Sequence, residues 1–483
     1  MRCPLENLAG LEVMPGRRGP CARMDAMKER LIIIGGGLAG SEAAWQAAEL
    51  GIEVQLFEMR PIKQTPAHET EQLAELVCSN SLGSRLVNKA PGLLKAELRG
   101  LGSMILRCAE DTAVPAGSAL AVDRQGFAEA VTKLVDSHPR IELIREEVKE
   151  VPSGPCIVAS GPLTSTALSD SIAGLSSQDY LYFYDAVSPI VSSDSIDMDI
   201  AFRASRYDDL SDEGDYINCP MDEPTYHEFS RAMADGEQIV LREFEREDAE
   251  FFEGCLPLEI LAKRSVDALR FGPLRPVGIE DPRTGRRPYA VVQLRQDNLS
   301  GTLYNMVGFQ TNLRWGEQRR VLRMIPGLEN AEFLRYGMMH RNTYINSPEL
   351  LQPTLQYRAR ANLFFAGQIT GVEGYMGNAA TGLVAGINAA RLLSGENPVI
   401  FPTQTMLGAL CHYVTHAQAK SFQPMKANFG LLPMPEQRMG KTERYHYYSK
   451  RALTSMRRFT RERRVAYDSE QAERDLGEGS SVT

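Results

Sequence analysis

Leu31-Ile-Ile-Ile-Gly-Gly-Gly-Leu-Ala-Gly-Ser-Glu42, followed by Val54-Gln-Leu-Phe-Glu58, decides the fold. Four consecutive apolar residues, Leu31–Ile34, predict a buried parallel strand. Gly35, Gly37 and Gly40 then have the GxGxxG spacing, and the Ala-rich run Ser41–Leu50 predicts a helix stopping at Gly51. One glycine permits the tight turn, one lets the backbone approach a pyrophosphate, and one lets helix and strand pack closely. Gly36, Leu38 and Ala39 complete the turn and belong to the same cofactor-binding set. The first N–H groups of the helix have no internal partner and carry the positive dipole end, which suits a diphosphate. Glu58 lies 18 residues beyond Gly40, close to the usual ~20 for the acid that bonds a ribose hydroxyl. Together these features predict a Rossmann-type dinucleotide site, without choosing between FAD and NAD(P).

A chain of 483 residues exceeds one compact core and predicts two or three domains. Its hydrophobic content of 43% and charged content of 24% are ordinary for a soluble globular enzyme. No apolar run reaches the ~20 residues that span a bilayer. Residues 1–26 hold prolines, glycines and arginines but no apolar core of a signal peptide. They read as a disordered extension, or as untranslated sequence before Met24 or Met27. Eight scattered cysteines without a CxxC pair argue against a disulfide framework and against a zinc site, so no metal is expected. They favour a reducing cytoplasm. The oligomeric state stays open.

Short apolar strands at Leu31–Ile34, Val54–Phe57, Ile141–Ile144 and Cys156–Ala159 place the first part of a dinucleotide-binding domain at 27–185. Residues 191–253 carry 19 Asp/Glu against 5 Lys/Arg, and 263–295 reverse this with 8 basic against 3 acidic residues. An inserted domain over 186–290 is the expectation, its charges being either solvated surface or a polyanion groove. The α/β pattern resumes over 291–435. There Asn362-Leu-Phe-Phe-Ala-Gly-Gln368 leads into the Gly- and Ala-rich run from Gly371 through Tyr375 to Ala390. A strand ending in glycine before such a helix completes FAD sites, so FAD is favoured over NAD, with Gly367, Gln368, Gly371 and Tyr375 in the site. Residues 438–464 hold 10 Lys/Arg against 2 Glu, interleaved with Tyr445, Tyr447, Tyr448 and Phe459. This composition suits either a solvated helix or a nucleic-acid contact. Residues 436–483 thus read as a basic helix and an acidic disordered tail.

Longer stretches are more specific. Glu71-Gln-Leu-Ala-Glu-Leu-Val-Cys-Ser-Asn-Ser-Leu82, Gly254-Cys-Leu-Pro-Leu-Glu259, Leu269-Arg-Phe-Gly-Pro-Leu-Arg-Pro-Val-Gly278 and Arg335-Tyr-Gly-Met-Met-His-Arg-Asn-Thr-Tyr344 carry the comparison. Over about 27–455 the chain resembles the folate- and FAD-dependent tRNA (uracil-54,C5)-methyltransferases, relatives of the GidA-type flavoenzymes. The resemblance implies an α/β flavoprotein, a Rossmann-like FAD-binding domain of the GR2 type split by a smaller α+β insertion domain. It implies methylation of the T-loop uridine of tRNA to ribothymidine. Methylenetetrahydrofolate would supply the carbon, and FAD reduced by NADPH or NADH the electrons. Cys78 and Cys219 resemble the family's two cysteines, one adding to uracil C6 and the other assisting at the flavin or moving a proton, with Cys219 favoured as nucleophile. His340 and Tyr344 would contact the pterin, Tyr375 would cover the flavin ring, and Arg270 and Arg275 would grip tRNA phosphates. The alternative is an NAD(P)H-dependent FAD oxidoreductase of a small molecule, which leaves the basic stretches and both cysteines without a role.

Overall fold

The computed structural model describes residues 29–65, 67–176, 181–206, 214–239, 256–468 and 470, with the backbone alone for 176, 181–187, 338–343 and 421. The expected extension 1–26 and residues 471–483 of the expected tail lie outside the described residues.

The chain opens with β1 (Leu31–Ile34), α1 (Leu38–Glu49) and β2 (Val54–Phe57). A small sheet of β3 (Ser81–Ser84), β4 (Ala113–Val114) and β5 (Ala119–Val122) is interleaved with α2 (Ala90–Gly100) and α3 (Met104–Asp111). Then come α4 (Arg124–Ser137), β6 (Ile141–Ile144), β7 (Cys156–Val158) and α5 (Thr166–Ser176). The chain leaves this unit along β8 (Leu181–Val187) and returns along β15 (Met338–Tyr344), which pair antiparallel from Leu181 opposite Tyr344 to Val187 opposite Met338.

Between them lies a second unit with β9 (Ile190–Ser192), β10 (Phe202–Arg203), β11 (Tyr216–Met221) and β12 (Ala290–Gln296). With β13 (Leu303–Met306) and β14 (Phe333–Arg335), these form a six-stranded sheet in the order β10-β11-β12-β13-β9-β14. Helices α6 (Glu223–Asp235), α7 (Leu258–Arg264), α8 (Ala268–Phe271) and α9 (Trp315–Leu322) surround it. After the ribbon come α10 (Ser347–Leu350), β16 (Gln356–Tyr357), β17 (Arg360–Phe365), α11 (Tyr375–Leu393), α12 (Met406–His416) and α13 (Lys441–Arg463).

The main sheet runs β16-β17-β7-β1-β2-β6 and is parallel except for the edge strand β16. Three of its strands end at Ile34, Val158 and Phe365 and pass directly into Gly35, Ala159–Gly161 and Ala366–Gly367. In open α/β sheets, ligands bind at this carboxyl edge. Helices α1 and α11 lie against each other through small residues. A Cβ on Gly382 would fall inside the Ala39 backbone, well short of van der Waals contact. The first unit is packed around Leu31, Ile33, Leu56 and Val384, while Ile217, Val292, Leu294 and Met306 belong to a separate core. Among the described residues, no helix is long and apolar enough to cross a membrane.

The expected end of the insertion at 290 does not hold. Residue 290 begins β12, a buried central strand, and the sheet closes only with β14 at Arg335. The inserted unit therefore runs through the residues between β8 and β15.

Buried carboxylates hold two helix starts, Glu42 that of α3 and Glu97 that of α12. Glu97 of α2 accepts from Met406 N and Leu407 N, both at 2.8 Å, at the start of α12. Burial pushes its acid up to about 8, opposed by those two bonds. A folded-state value above the unfolded one means the folded chain holds the extra proton between about pH 4.5 and 8, so stability falls as pH rises through that window. Glu97→Gln removes the titration. Its thermal midpoint should decline less than that of the parent between pH 5 and pH 8, as differential scanning calorimetry would show.

Candidate active site

The cleft at the carboxyl edge has a volume of about 150 Å³ and is lined from Glu58 at one end to Gly367, Gln368, Tyr375 and Asn378. The fingerprint forms one wall. Gly35 adopts φ +104°, and a Cβ there would stand 2.6 Å from Ala159 O, so both conformation and space demand glycine. Gly37 is the N-cap of α1, with no side-chain cap and no acid in the first turn. Nothing lies within 4 Å of the position of its missing Cβ. The helix therefore presents uncapped N–H groups and an open approach, which is what a diphosphate requires. The helix begins at Leu38, so Leu38, Ala39 and Gly40 form its first turn.

Glu58 is fixed by its surroundings. Its Oε2 accepts from Gly36 N at 2.9 Å, and its Oε1 accepts from Arg60 N at 3.0 Å and Arg60 Nε at 2.9 Å. Burial alone would raise its pKa, but the Arg60 charge and these bonds outweigh it and hold the acid below its ordinary value. Arg60 is itself buried and donates onward to Thr70 O and Glu75 Oε2. A carboxylate offers about four acceptor sites, so the three donors leave one for a ribose hydroxyl. The only sequence sign of Arg60 is its place two residues after the acid.

The other end of the cleft begins at α11, whose N-cap Gly374 also lacks a side-chain cap. Asn378 lines the cleft, and its Oδ1 is buried with no partner among the described residues. An orphaned acceptor between two open helix starts fits a dinucleotide bearing N–H and O–H donors. Gly367 N donates to Thr381 Oγ1 at 2.9 Å, and Gln368 Nε2 donates to Glu373 Oε1 at 2.9 Å, which fix this corner. Gly371 lies under the Phe422 ring, where a Cβ would clash.

Tyr375 lines the cleft, and its hydroxyl also reaches the neighbouring loop, where Oη accepts from Cys78 N at 2.9 Å and Ser79 N at 3.1 Å. Burial pushes its pKa up, the Cys78 group adds to the rise, and Arg124 opposes it. Tyr375 therefore stays a neutral phenol. The structure thus joins Cys78, which is half-buried, to the start of the second cofactor motif.

Cys219 is elsewhere. It faces Val292 across β11 and β12, is fully buried in the core of the inserted unit, and has its thiol pushed up to about 12, chiefly by burial. Cys219 shares that core with Met221, Leu294 and Met306 and is not among the residues that line the cleft, so the structure gives no support to the expectation that it is the nucleophile. Sequence offered no warning, because Ile-Asn-Cys-Pro-Met does not reveal which face of the strand is inward. Cys219→Ala should cost about 1–2 kcal/mol of stability and leave turnover within about twofold. A loss of turnover beyond a hundredfold in a folded variant would return Cys219 to the chemistry.

Tyr344 is also buried, donating to Phe422 O at 3.3 Å and packing edge-on to the Phe422 ring at 5.8 Å. These contacts tie Tyr344 to Phe422, the ring that covers Gly371. His340 pairs with Asp185 in the ribbon backbone, and its side chain lies outside the described set. Arg270 donates Nε to Tyr289 O at 2.9 Å and stacks 4.0 Å over the Tyr289 ring, so it is held within the inserted unit. Arg275 is exposed. Sequence reading missed Arg124 and Arg295, which meet the Cys78 loop from distant parts of the chain, and Asp297, which pairs with Arg124. No group of three or more metal-type side chains occurs among the described residues.

This fold and cleft define a Rossmann-type dinucleotide-binding protein with a two-part site, the build of FAD-dependent oxidoreductases. The family model described as Glucose inhibited division protein A matches residues 30–397. A methylenetetrahydrofolate–tRNA-(uracil-5-)-methyltransferase TrmFO from Halalkalibacterium halodurans is 57% identical over 430 residues, covering 89% of this chain and 98% of that protein. The TrmFO of Bacillus subtilis is 57% identical over 425 residues, covering 88% and 97%. The solved structure of Aquifex aeolicus GidA shares the fold at a TM-score of 0.65 and 17% identity, covering 93% of this chain and 76% of that one. The chain belongs to the GidA family and, within it, to the TrmFO methyltransferases.

Proposed function

We propose that this protein methylates C5 of the T-loop uridine of tRNA, with methylenetetrahydrofolate as carbon donor. FAD, reduced by NADPH or NADH, supplies when bound the two electrons that separate a formaldehyde-level methylene from a methyl group. The observation that carries this reading is the junction of a half-buried cysteine with the two-part dinucleotide cleft, through Tyr375. A small-molecule oxidoreductase needs the cleft and has no use for that cysteine.

The residues divide the work. The open start of α1 and Gly37 receive the diphosphate, and Glu58 receives a ribose hydroxyl while Arg60 holds it ionised. The uncapped start of α11 and Asn378 receive the other half of the dinucleotide. Uracil C5 is a poor nucleophile until a thiolate has added to C6, and its proton must leave before the product forms. Cys78, beside Tyr375 on the cofactor side, takes that C5 proton as a thiolate. Addition to C6 requires a second thiol. Cys255, in the matched Gly254–Glu259 stretch, lies outside the described residues.

The test is to incubate the purified protein with unmodified tRNA transcript, methylenetetrahydrofolate and NADPH. Ribothymidine supports the proposal. NADPH oxidation independent of tRNA would instead identify the small-molecule oxidoreductase, and tRNA binding without product an idle binder.

A further inference from the structure

The loop carrying Cys78 is fastened from both units. Arg124, at the start of α4, donates Nη1 to Leu76 O at 2.7 Å, two residues before the cysteine. Its Nε lies 3.0 and 2.9 Å from the two carboxylate oxygens of Asp297, which belongs to the inserted unit. Arg295 of β12 donates Nε to Asn80 Oδ1 and Nη2 to Ser79 Oγ, both at 2.9 Å. From the opposite side, Tyr375 Oη takes the amides of Cys78 and Ser79. One donor of this assembly is unused. Arg124 Nη2 is buried and has no acceptor among the described residues.

A buried guanidinium N–H without an acceptor is costly unless an anion arrives for it. We propose that Arg124 is a positioning residue which, aligned by Asp297, turns Nη2 toward the Cys78 sulfur and holds it as a thiolate. This rests on the reading of Cys78 as an active thiol and adds the group that makes it one. The surroundings agree in sign. Arg124 keeps its charge against burial because Asp297, and then the Tyr375 and Cys78 groups beside it, outweigh the loss of water. Arg335 of β14 stands near Arg124 and Tyr375, with Glu69 at 3.7 Å, and burial lowers its pKa. Glu75, three residues before Cys78, is committed to Arg60. Arg124 and Tyr375 are the groups that act on the Cys78 thiol, and around Arg124 stand Arg295 and Arg335 against Asp297, with Glu69 on Arg335 and Tyr375 neutral. Positive surroundings lower a thiol's pKa from its ordinary ~8.5.

The experiment uses the full-length, FAD-loaded protein and follows iodoacetamide alkylation of the Cys78 peptide by mass spectrometry as a function of pH. The parent should show an inflection below the ordinary thiol value. Arg124→Gln should move it up by about one unit and slow alkylation about tenfold at pH 7. Arg124→Lys should restore most of the shift, and Asp297→Asn should give a smaller rise. An unmoved curve in folded, yellow Arg124→Gln protein overturns the proposal. So does a variant whose only change is a raised KM for tRNA, since Nη2 would then be holding an RNA phosphate. If Arg124→Gln does not fold, Asp297→Asn decides, and an unmoved curve there is equally fatal. Because alkylation is read without tRNA, it is independent of turnover. An active Cys78→Ala protein would end the catalytic reading while leaving the thiol's titration as measured.

Discussion

Cys78→Ala should bind FAD normally and form ribothymidine about a hundred- to ten-thousandfold more slowly than the parent, the usual range for removing a general base. The side chain is half-buried, and its loop is fastened at several other points: its own amide and that of Ser79 go to Tyr375, while Arg124 and Arg295 hold Leu76 O, Asn80 and Ser79. The substitution therefore removes a sulfur and leaves the hydrogen-bonded frame standing. Flavin absorbance and the thermal midpoint serve as controls, and single-turnover formation of ribothymidine is the reading. A folded, yellow, fully active Cys78→Ala protein would remove the cysteine from the mechanism.

The largest structural effect is expected at Gly382. The helix pair α1–α11 carries both cofactor motifs, and its closest approach sets the Gly382 Cα over the Ala39 backbone. Gly382→Val should cost about 3 kcal/mol or more, since overpacking a close-packed interface forces backbone movement. It should also lose FAD, because α1 and α11 supply the two ends of the cleft. Gly174 in α5 is the control: nothing lies within 4 Å of its missing Cβ. Gly174→Ala should be neutral or stabilise by about 0.5–1 kcal/mol through helix propensity. Urea denaturation of the two variants, with flavin content measured alongside, checks both expectations.

What sequence reveals here depends on range. The glycine turn, Glu58 and the Gly367–Tyr375 corner were legible because each is a local pattern: strand, turn and helix start lie within a dozen residues. The C-terminal basic run likewise forms one helix, α13, with Tyr448, Leu453 and Met456 turned inward. The end of the insertion was not legible, because strands β12 to β14 belong to its sheet through pairings that composition does not record. The burial of Cys219 was not legible for a related reason. A motif match says which residue type occupies a position, while burial depends on the face that the pairing with β12 turns inward. The Arg124–Asp297 contact joins residues 173 apart, and nothing near either one announces the other.

The central claim is that the transferred carbon arrives as a folate methylene and is reduced at the protein. Its most direct test supplies tRNA transcript and NADPH with methylenetetrahydrofolate labelled at the methylene carbon, and in parallel with S-adenosylmethionine labelled at the methyl. The account predicts label in the C5 methyl of ribothymidine from the folate alone. Label from S-adenosylmethionine would contradict it.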